Sequence, residues 1–301
     1  MQSNTPAPAV KSKKANYLAM ACILLAGSLW GCIGIFNRGI IDLGVSASSI
    51  VMIRNFGALV LLAVLFLVMD RNIFKIRLRH LPYFFGTGCI SVLVFSTCYF
   101  YSQTVSSLAV CAILLYTAPT FVVIMSTIIF KDRFTKKKLA ALIIAFSGCT
   151  FAIGIWGGEG LTLSVKGLLL GLGSGFFYAL YSIFGRFALQ HYQPFTVTFY
   201  TFLFSGIGSL FMVRGEDLKT VASTPAGIGL SLGLMVLCSV LPYIFYTKGL
   251  NDLGDSGKAS ILASIEPVVA SIVGIIAFGE PMTIGVILGL GCILVSVYIL
   301  R

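Results

Sequence analysis

Apolar stretches long enough to cross a bilayer recur along nearly the whole chain, separated by short polar connections. Residues 15–37 contain no Asp, Glu, Lys, Arg or His, and residues 46–69 contain only Arg54. Residues 81–130 carry no charge at all. That run is too long for one crossing of about 20 residues and suits two, with the polar stretch Gln103-Thr104-Val105-Ser106-Ser107 as the break. Segments 139–158, 167–185, 192–213, 226–247, 259–279 and 281–300 follow in the same manner. The pattern predicts an all-α membrane protein of ten transmembrane helices.

The pattern is also written twice. Advancing by 148 carries Trp30 to Tyr178, Phe36 to Phe184, Arg38 to Arg186, Pro119 to Pro267, Phe130 to Phe278, Asp132 to Glu280 and Thr135 to Thr283. Residues 17–155 and 166–301 are therefore read as two five-helix repeats. Residues 1–16, polar, basic and containing proline, precede them as a disordered cytoplasmic tail. With the N-terminus inside, sixteen Lys and Arg side chains fall on the cytoplasmic side. Only Arg38, Lys166, Arg214 and Lys219 fall opposite, the bias expected of cytoplasmic loops. Both termini are placed in the cytoplasm. Five crossings per copy reverse the side of the membrane, so the second copy is inverted relative to the first. Inverted repeats of this kind build a path at their interface.

Composition narrows the class. Hydrophobic residues make up 58% of the chain, charged residues 10%, and the mean hydropathy is +1.00, outside the soluble range. The net charge of +11 sits in short loops, so it reflects topology rather than a nucleic-acid surface. The eight cysteines are scattered through apolar segments without metal or redox spacing. His80 and His191 lie in loops without clustered partners, and there is no phosphate-binding loop. Neither an enzyme, a metal nor a cofactor is expected.

The candidate chemistry is sparse and lies within the spans. Glu266 falls about 12 Å along its helix at 1.5 Å per residue, where an isolated carboxylate must be paired, protonated or facing water. It reads as a proton-coupling or amine-binding group, or as a structural partner of Arg54. Arg54 lies at similar depth and needs fixed acceptors, either a substrate carboxylate or neighbouring spans. Pro119, Pro242 and Pro267 fall inside spans, where each removes a backbone hydrogen bond and bends the helix. Trp30, Gly34 and Asn37 share one helix face by spacing; Tyr178 and Tyr181 occupy the related face of the sixth span. Tyr99 with Gln103, and Tyr243 with Tyr246, have helical spacing, and Tyr116 precedes Pro119. Rings carrying hydroxyls or amides suit a pocket for amphipathic solutes, and suit interfacial or interhelical roles equally.

Taken in order, several motifs resemble the EamA-type transporters of the drug/metabolite transporter superfamily. They are Gly27-Ser28-Leu29-Trp30-Gly31, Ile53-Arg54-Asn55, Ala118-Pro119-Thr120 and Ile265-Glu266-Pro267, with Phe130-Lys131-Asp132 and Phe278-Gly279-Glu280 closing the fourth and ninth spans. Asp132 stands where that family has glutamate. The resemblance covers residues 17–300 and implies a secondary carrier of a small metabolite, such as an amino acid, working by alternating access. Export across a bacterial cytoplasmic membrane is the expected direction, with proton exchange through Glu266 or passive flow as the energy source. Uptake of an organic cation, flipping of lipid head groups and a non-transporting scaffold remain alternatives. The expected partners are a small-molecule substrate, the lipid bilayer and the proton.

Overall fold

The computed structural model describes residues 13–106, 108–153, 164–279 and 282–300. Most of the amino-terminal tail and Glu280 lie outside these. Among the described residues the chain is helical and has no strand. The main helices are α1 (Ala15–Asp42), α2 (Ala47–Met69), α3 (Leu78–Gln103), α4 (Val110–Phe130), α5 (Lys136–Ile153), α6 (Val165–Leu189), α7 (Pro194–Met212), α8 (Pro225–Leu253), α9 (Ser256–Phe278) and α10 (Ile284–Leu300). Eight of these are long and apolar enough to cross a membrane. Of the other two, α10 is a shorter apolar helix, and α5 opens on three lysines. A short amphipathic helix, Gly215–Ser223, joins α7 to α8.

Helix is the form such sequences adopt in lipid, because it satisfies each backbone N–H and C=O within the segment. The ends are capped locally. The side chains of Ser46, Ser164, Thr224 and Asp255 accept from the amides of Ser49, Gly167, Gly227 and Lys258. Gly254 and Gly279 close α8 and α9 in the left-handed region, with φ of 68° and 65°. Lys131, 148 residues before Gly279, closes α4 with φ 56°. The first repeat thus makes the same turn without the glycine.

Contacts between helices come in related pairs. α1 packs on α8 and α9, as α6 packs on α3 and α4; α2 pairs with α7, and α5 with α10. Each repeat therefore lays its first helix against the third and fourth helices of the other. Small residues permit the approach. A Cβ at Gly27 would stand 2.8 Å from the Ala263 carbonyl oxygen. One at Gly175 would stand 3.1 Å from the carbonyl oxygen of Leu115, the repeat partner of Ala263.

Irregularities are duplicated as well. α4 is interrupted at Tyr116–Thr117 and α9 at Ser264–Ile265. Pro119 and Pro267 sit in the first turn of the resumed helices, Ala118–Phe130 and Glu266–Phe278, where proline is well tolerated. They thus mark restarts rather than bends in a continuous helix. α3 and α8 each contain a π-helical stretch, Gly86–Leu93 and Val236–Val240. Pro242 follows the second stretch, yet its counterpart is Val94, so proline alone does not produce this feature. π-turns concentrate at functional sites.

Candidate functional site

The π-helical stretch of α3 carries Ser91 and Val92 into the interior of the bundle. A small cavity there is lined by Trp30, Ser91, Val92, Phe95, Tyr178, Tyr181, Ser182, Tyr243 and Tyr246. Trp30 from α1 is the hub. Its ring lies 5.3 Å from Tyr243, 5.5 Å from Tyr246 and 6.4 Å from Tyr178, centroid to centroid, within the range of favourable aromatic pairs. Phe95 meets Tyr178 at 5.2 Å, and Tyr181 meets Tyr243 at 5.1 Å. The remaining volume is about 10 Å³, room for roughly one water molecule, so the box is collapsed on itself.

Two hydroxyls of the box are engaged in its wall. Tyr181 shares a 2.6 Å hydrogen bond with Thr247, and Tyr246 a 2.7 Å bond with Ser182. Both tie α6 to α8. Tyr178 and Tyr243 make no hydrogen bond to any described residue, which leaves their hydroxyls available to a solute.

Beside the aromatic box lies the one acid of this region. Glu266 opens the resumed segment of α9, next to the break, and Tyr116 at the matching break of α4 lies within electrostatic range of it. Close packing of α1 holds the segment in place: a Cβ at Gly31 would lie 2.8 Å from the Glu266 carbonyl oxygen. Tyr99 and Tyr178 also lie within electrostatic range of the carboxylate. Arg54 on α2 faces the same region from the side of Tyr243 and Cys238. It interacts with Glu266 through space but forms no ion pair with it. The ion pairs among the described residues are Lys138–Asp255, Arg186–Asp132 and Lys248–Asp252. The guanidinium of Arg54 has no hydrogen-bond acceptor among the described residues. Two opposite charges thus flank the rings without neutralising each other by contact.

Four of the six rings obey the repeat and the charges do not. Trp30 pairs with Tyr178 and Phe95 with Tyr243 at a separation of 148, whereas the counterparts of Glu266 and Arg54 are Ala118 and Phe202. Of the residues singled out from sequence, Trp30, Tyr178, Tyr181, Tyr243 and Tyr246 line the cavity. Glu266, Tyr116, Tyr99, Gln103 and Arg54 cluster beside it. Gly34 and Asn37 do not line it. The helix breaks after Gly31, where the Cys32 amide bonds three residues back to Leu29 at 3.2 Å, and this shifts the phase of everything beyond. Ser91, Val92, Phe95 and Ser182 complete the lining, outside the set to which the sequence points. The repeat spacing could have found Phe95, which stands 148 before Tyr243.

A second pair of related clusters stands away from the cavity. Arg186 of α6 grips Asp132, just beyond α4, through two hydrogen bonds of 2.5 and 2.9 Å, and its guanidinium lies 4.2 Å over the Phe130 ring. Arg38 of α1, its repeat partner, lies 4.3 Å over Phe278 at the end of α9. In each cluster the first helix of one repeat is fastened to the fourth helix of the other.

A bundle of apolar helices in two related halves, with a polar aromatic box and unpaired charges at their interface, has the architecture of a multi-pass membrane transporter. The comparisons agree. The model of the EamA-like transporter family matches residues 17–154 and again 165–301, and the chain belongs to that family. Relatives include an uncharacterized transporter of Archaeoglobus fulgidus, 26% identical and covering 75% of this chain and 79% of its own length. The uncharacterized transporter YyaM of Bacillus subtilis is 26% identical over 87% of each chain. The uncharacterized inner membrane transporter YicL of Salmonella typhimurium is 24% identical over 93% of this chain and 94% of its own. A solved crystal structure superposes with a TM-score of 0.76 over 96% of each chain at 14% identity, a likeness of fold.

Proposed function

We propose that the protein is a secondary carrier that exports a small zwitterionic metabolite, such as an amino acid, across the bacterial cytoplasmic membrane. The observation that carries this reading is the aromatic box flanked by Glu266 and Arg54, two opposite charges that do not touch. A zwitterion supplies both missing partners, its ammonium to Glu266 and its carboxylate to Arg54, while its apolar part meets Trp30, Tyr178 and Tyr243. Both charges are costly inside a span without an ionic partner, so a solute that satisfies both gains affinity by relieving that cost.

In this reading α1–α10 are ten spans, arranged as two inverted repeats with both termini in the cytoplasm. The Arg186–Asp132–Phe130 cluster closes the cytoplasmic end, and Arg38 over Phe278 closes the opposite end. Releasing one cluster while the other holds gives alternating access, and the collapsed box fits a state with both ends shut. Glu266 also serves as the proton site, exchanging its proton for the solute ammonium. An organic-cation carrier would use the same rings and Glu266 but would leave Arg54 idle.

The test is flux through proteoliposomes over a panel of amino acids, amines and nucleosides, with and without a pH gradient. Amino-acid flux that follows the gradient, loses that dependence in Glu266→Gln and falls in Arg54→Gln is the expected result. Flux of amines alone, unchanged in Arg54→Gln, would replace the zwitterion by a cation. Silence across the panel would overturn the reading in favour of a lipid substrate.

A further inference from the structure

Away from the central box, the connections from α2 to α3 and from α6 to α7 meet in a groove of about 500 Å³. It is lined by Lys75, Ile76, Arg77, His80, Gln190, His191 and Tyr192. Each repeat contributes one wall. No carboxylate is among the lining residues, and Lys75, Arg77 and the adjacent Arg79 take part in none of the ion pairs between described residues.

The hydrogen bonds of the groove run in one direction. Arg79 can only donate, and its Nε lies 3.1 Å from Nε2 of His80. That nitrogen must therefore accept, which places the imidazole proton on Nδ1. Nδ1 in turn lies 2.9 Å from the Tyr192 hydroxyl oxygen and donates to it. The backbone amide of Arg77 donates to the same oxygen at 2.8 Å. A phenol oxygen has two lone pairs and one hydrogen. With both pairs taken, Tyr192 has only its O–H left to offer, and no described residue accepts it. The chain Arg79, His80, Tyr192 thus ends in an unused donor at a groove that Arg77 and Lys75 also border. Lys75 bonds Asn72 at 2.8 Å and has two further N–H groups. The arrangement is rigid: His80 is buried, and its ring stacks on His191 with centroids 4.4 Å apart.

A site bordered by positive charge and an unused hydroxyl donor, with no carboxylate among its lining residues, suits an oxyanion. We propose that this groove binds a phosphate-type oxyanion, with Tyr192, Arg77 and Lys75 as its direct ligands and His80 and Arg79 as the positioning residues behind Tyr192. The group is either the head of an anionic phospholipid or a free phosphate. Basic pockets at the membrane boundary are suited to lipid head groups, and the exposed apolar side chains of Val68, Met69 and Leu78 lie close by in sequence.

The test uses the purified full-length protein in two arms. In one, inorganic phosphate is titrated against chloride at equal ionic strength and binding is read by calorimetry. In the other, the protein is recovered from mixed phosphatidylglycerol–phosphatidylcholine discs and from pure phosphatidylcholine discs, and retained lipid is measured by native mass spectrometry. Binding in either arm is expected to weaken about tenfold in Arg77→Gln and in Tyr192→Phe, as the loss of one hydrogen bond to a charged group implies. Lys137→Gln removes the same formal charge at an exposed position outside the groove and is expected to change nothing. Phosphate binding sensitive to these variants assigns a soluble ligand, and selective retention of phosphatidylglycerol assigns a head group. Absence of binding in both arms, or an equal effect of Lys137→Gln, overturns the proposal. Arg77 is exposed, so its variant keeps the test valid should Tyr192→Phe fold poorly.

Discussion

Removing the Asp132 carboxylate offers the sharpest test of the idea that the two halves are fastened at their ends. Arg186 binds Asp132 through two N–H···O bonds of 2.5 and 2.9 Å, and the side chains keep only 20% and 12% of their exposure. Breaking a buried pair by deleting one partner costs about 3–5 kcal/mol, because the other charge is stranded. Residual access to water at the mouth of the bundle points to the lower end, about 3 kcal/mol. Arg186→Ala also removes the contact over Phe130 at 4.2 Å, worth about 0.5–1 kcal/mol at a partly exposed site. A loss of about 3 kcal/mol corresponds to roughly 150-fold in an equilibrium between closed and open ends. Hydrogen exchange read by mass spectrometry reports this locally. Amides near the end of α4 and in the last turn of α6 are expected to lose protection in Asp132→Ala, and somewhat more in Arg186→Ala. Amides around Arg38 and Phe278 are expected to keep theirs. The swapped double variant, Asp132→Arg with Arg186→Asp, is expected to restore a substantial part of the protection. Single variants with unchanged exchange, or effects that simply add in the double variant, would refute the idea.

Two further predictions concern the supports of the fold. Lys138 is buried against Asp255 at 2.8 Å, so Asp255→Ala is expected to lower stability by about 3 kcal/mol, as read by thermal unfolding in detergent. Adding Lys138→Met should recover most of that loss, apart from about 1 kcal/mol for the cap that Asp255 provides to α9, and no recovery would mean that the pair contributes little. The Asp217 carboxylate accepts from the hydroxyl of Ser46 at 2.5 Å and from its amide at 3.2 Å. Hydrogen bonds from Ser46 and Ser49 hold its carboxyl below the usual range. A lowered folded value means that the contribution is fully present above the unfolded carboxylate value of about 3.9 and is lost as pH falls through the folded one. Acidification below about pH 4 should therefore lower the thermal midpoint of the native protein more steeply than that of Asp217→Asn, and identical acid limbs would show that Asp217 is not linked to folding.

Much of this molecule can be read from its residues, and the parts that cannot share a cause. Apolar length and the 148-residue spacing point to the class, the two halves and the related positions Trp30 and Tyr178, because these depend on local composition and register. The same spacing marks Arg186 and Asp132 as features of their own repeats. It does not say that they meet, since that contact crosses from α6 to the end of α4 and arises only when the halves interlock. Gly34 and Asn37 share a face with Trp30 on an ideal helix, but the break at Cys32 turns the chain before that face is complete. Phe95 has no polar group to mark it in the sequence, although it packs against Tyr178 as its repeat partner Tyr243 packs against Trp30. The donor chain through His80 and Tyr192 joins the start of α3 to the loop after α6, more than a hundred residues apart, beyond the reach of any local pattern.

The mismatch between rings and charges has a consequence for anything that passes through. Four of the rings, Trp30 with Tyr178 and Phe95 with Tyr243, have a counterpart in the other half. Glu266 and Arg54 have none, and they stand at fixed places whichever end is open. On the proposed reading, a dipolar solute is held the same way round on arrival and departure, and only the exit changes. The box then acts as a compass within a revolving door: its two leaves exchange roles in each cycle while the needle keeps its heading.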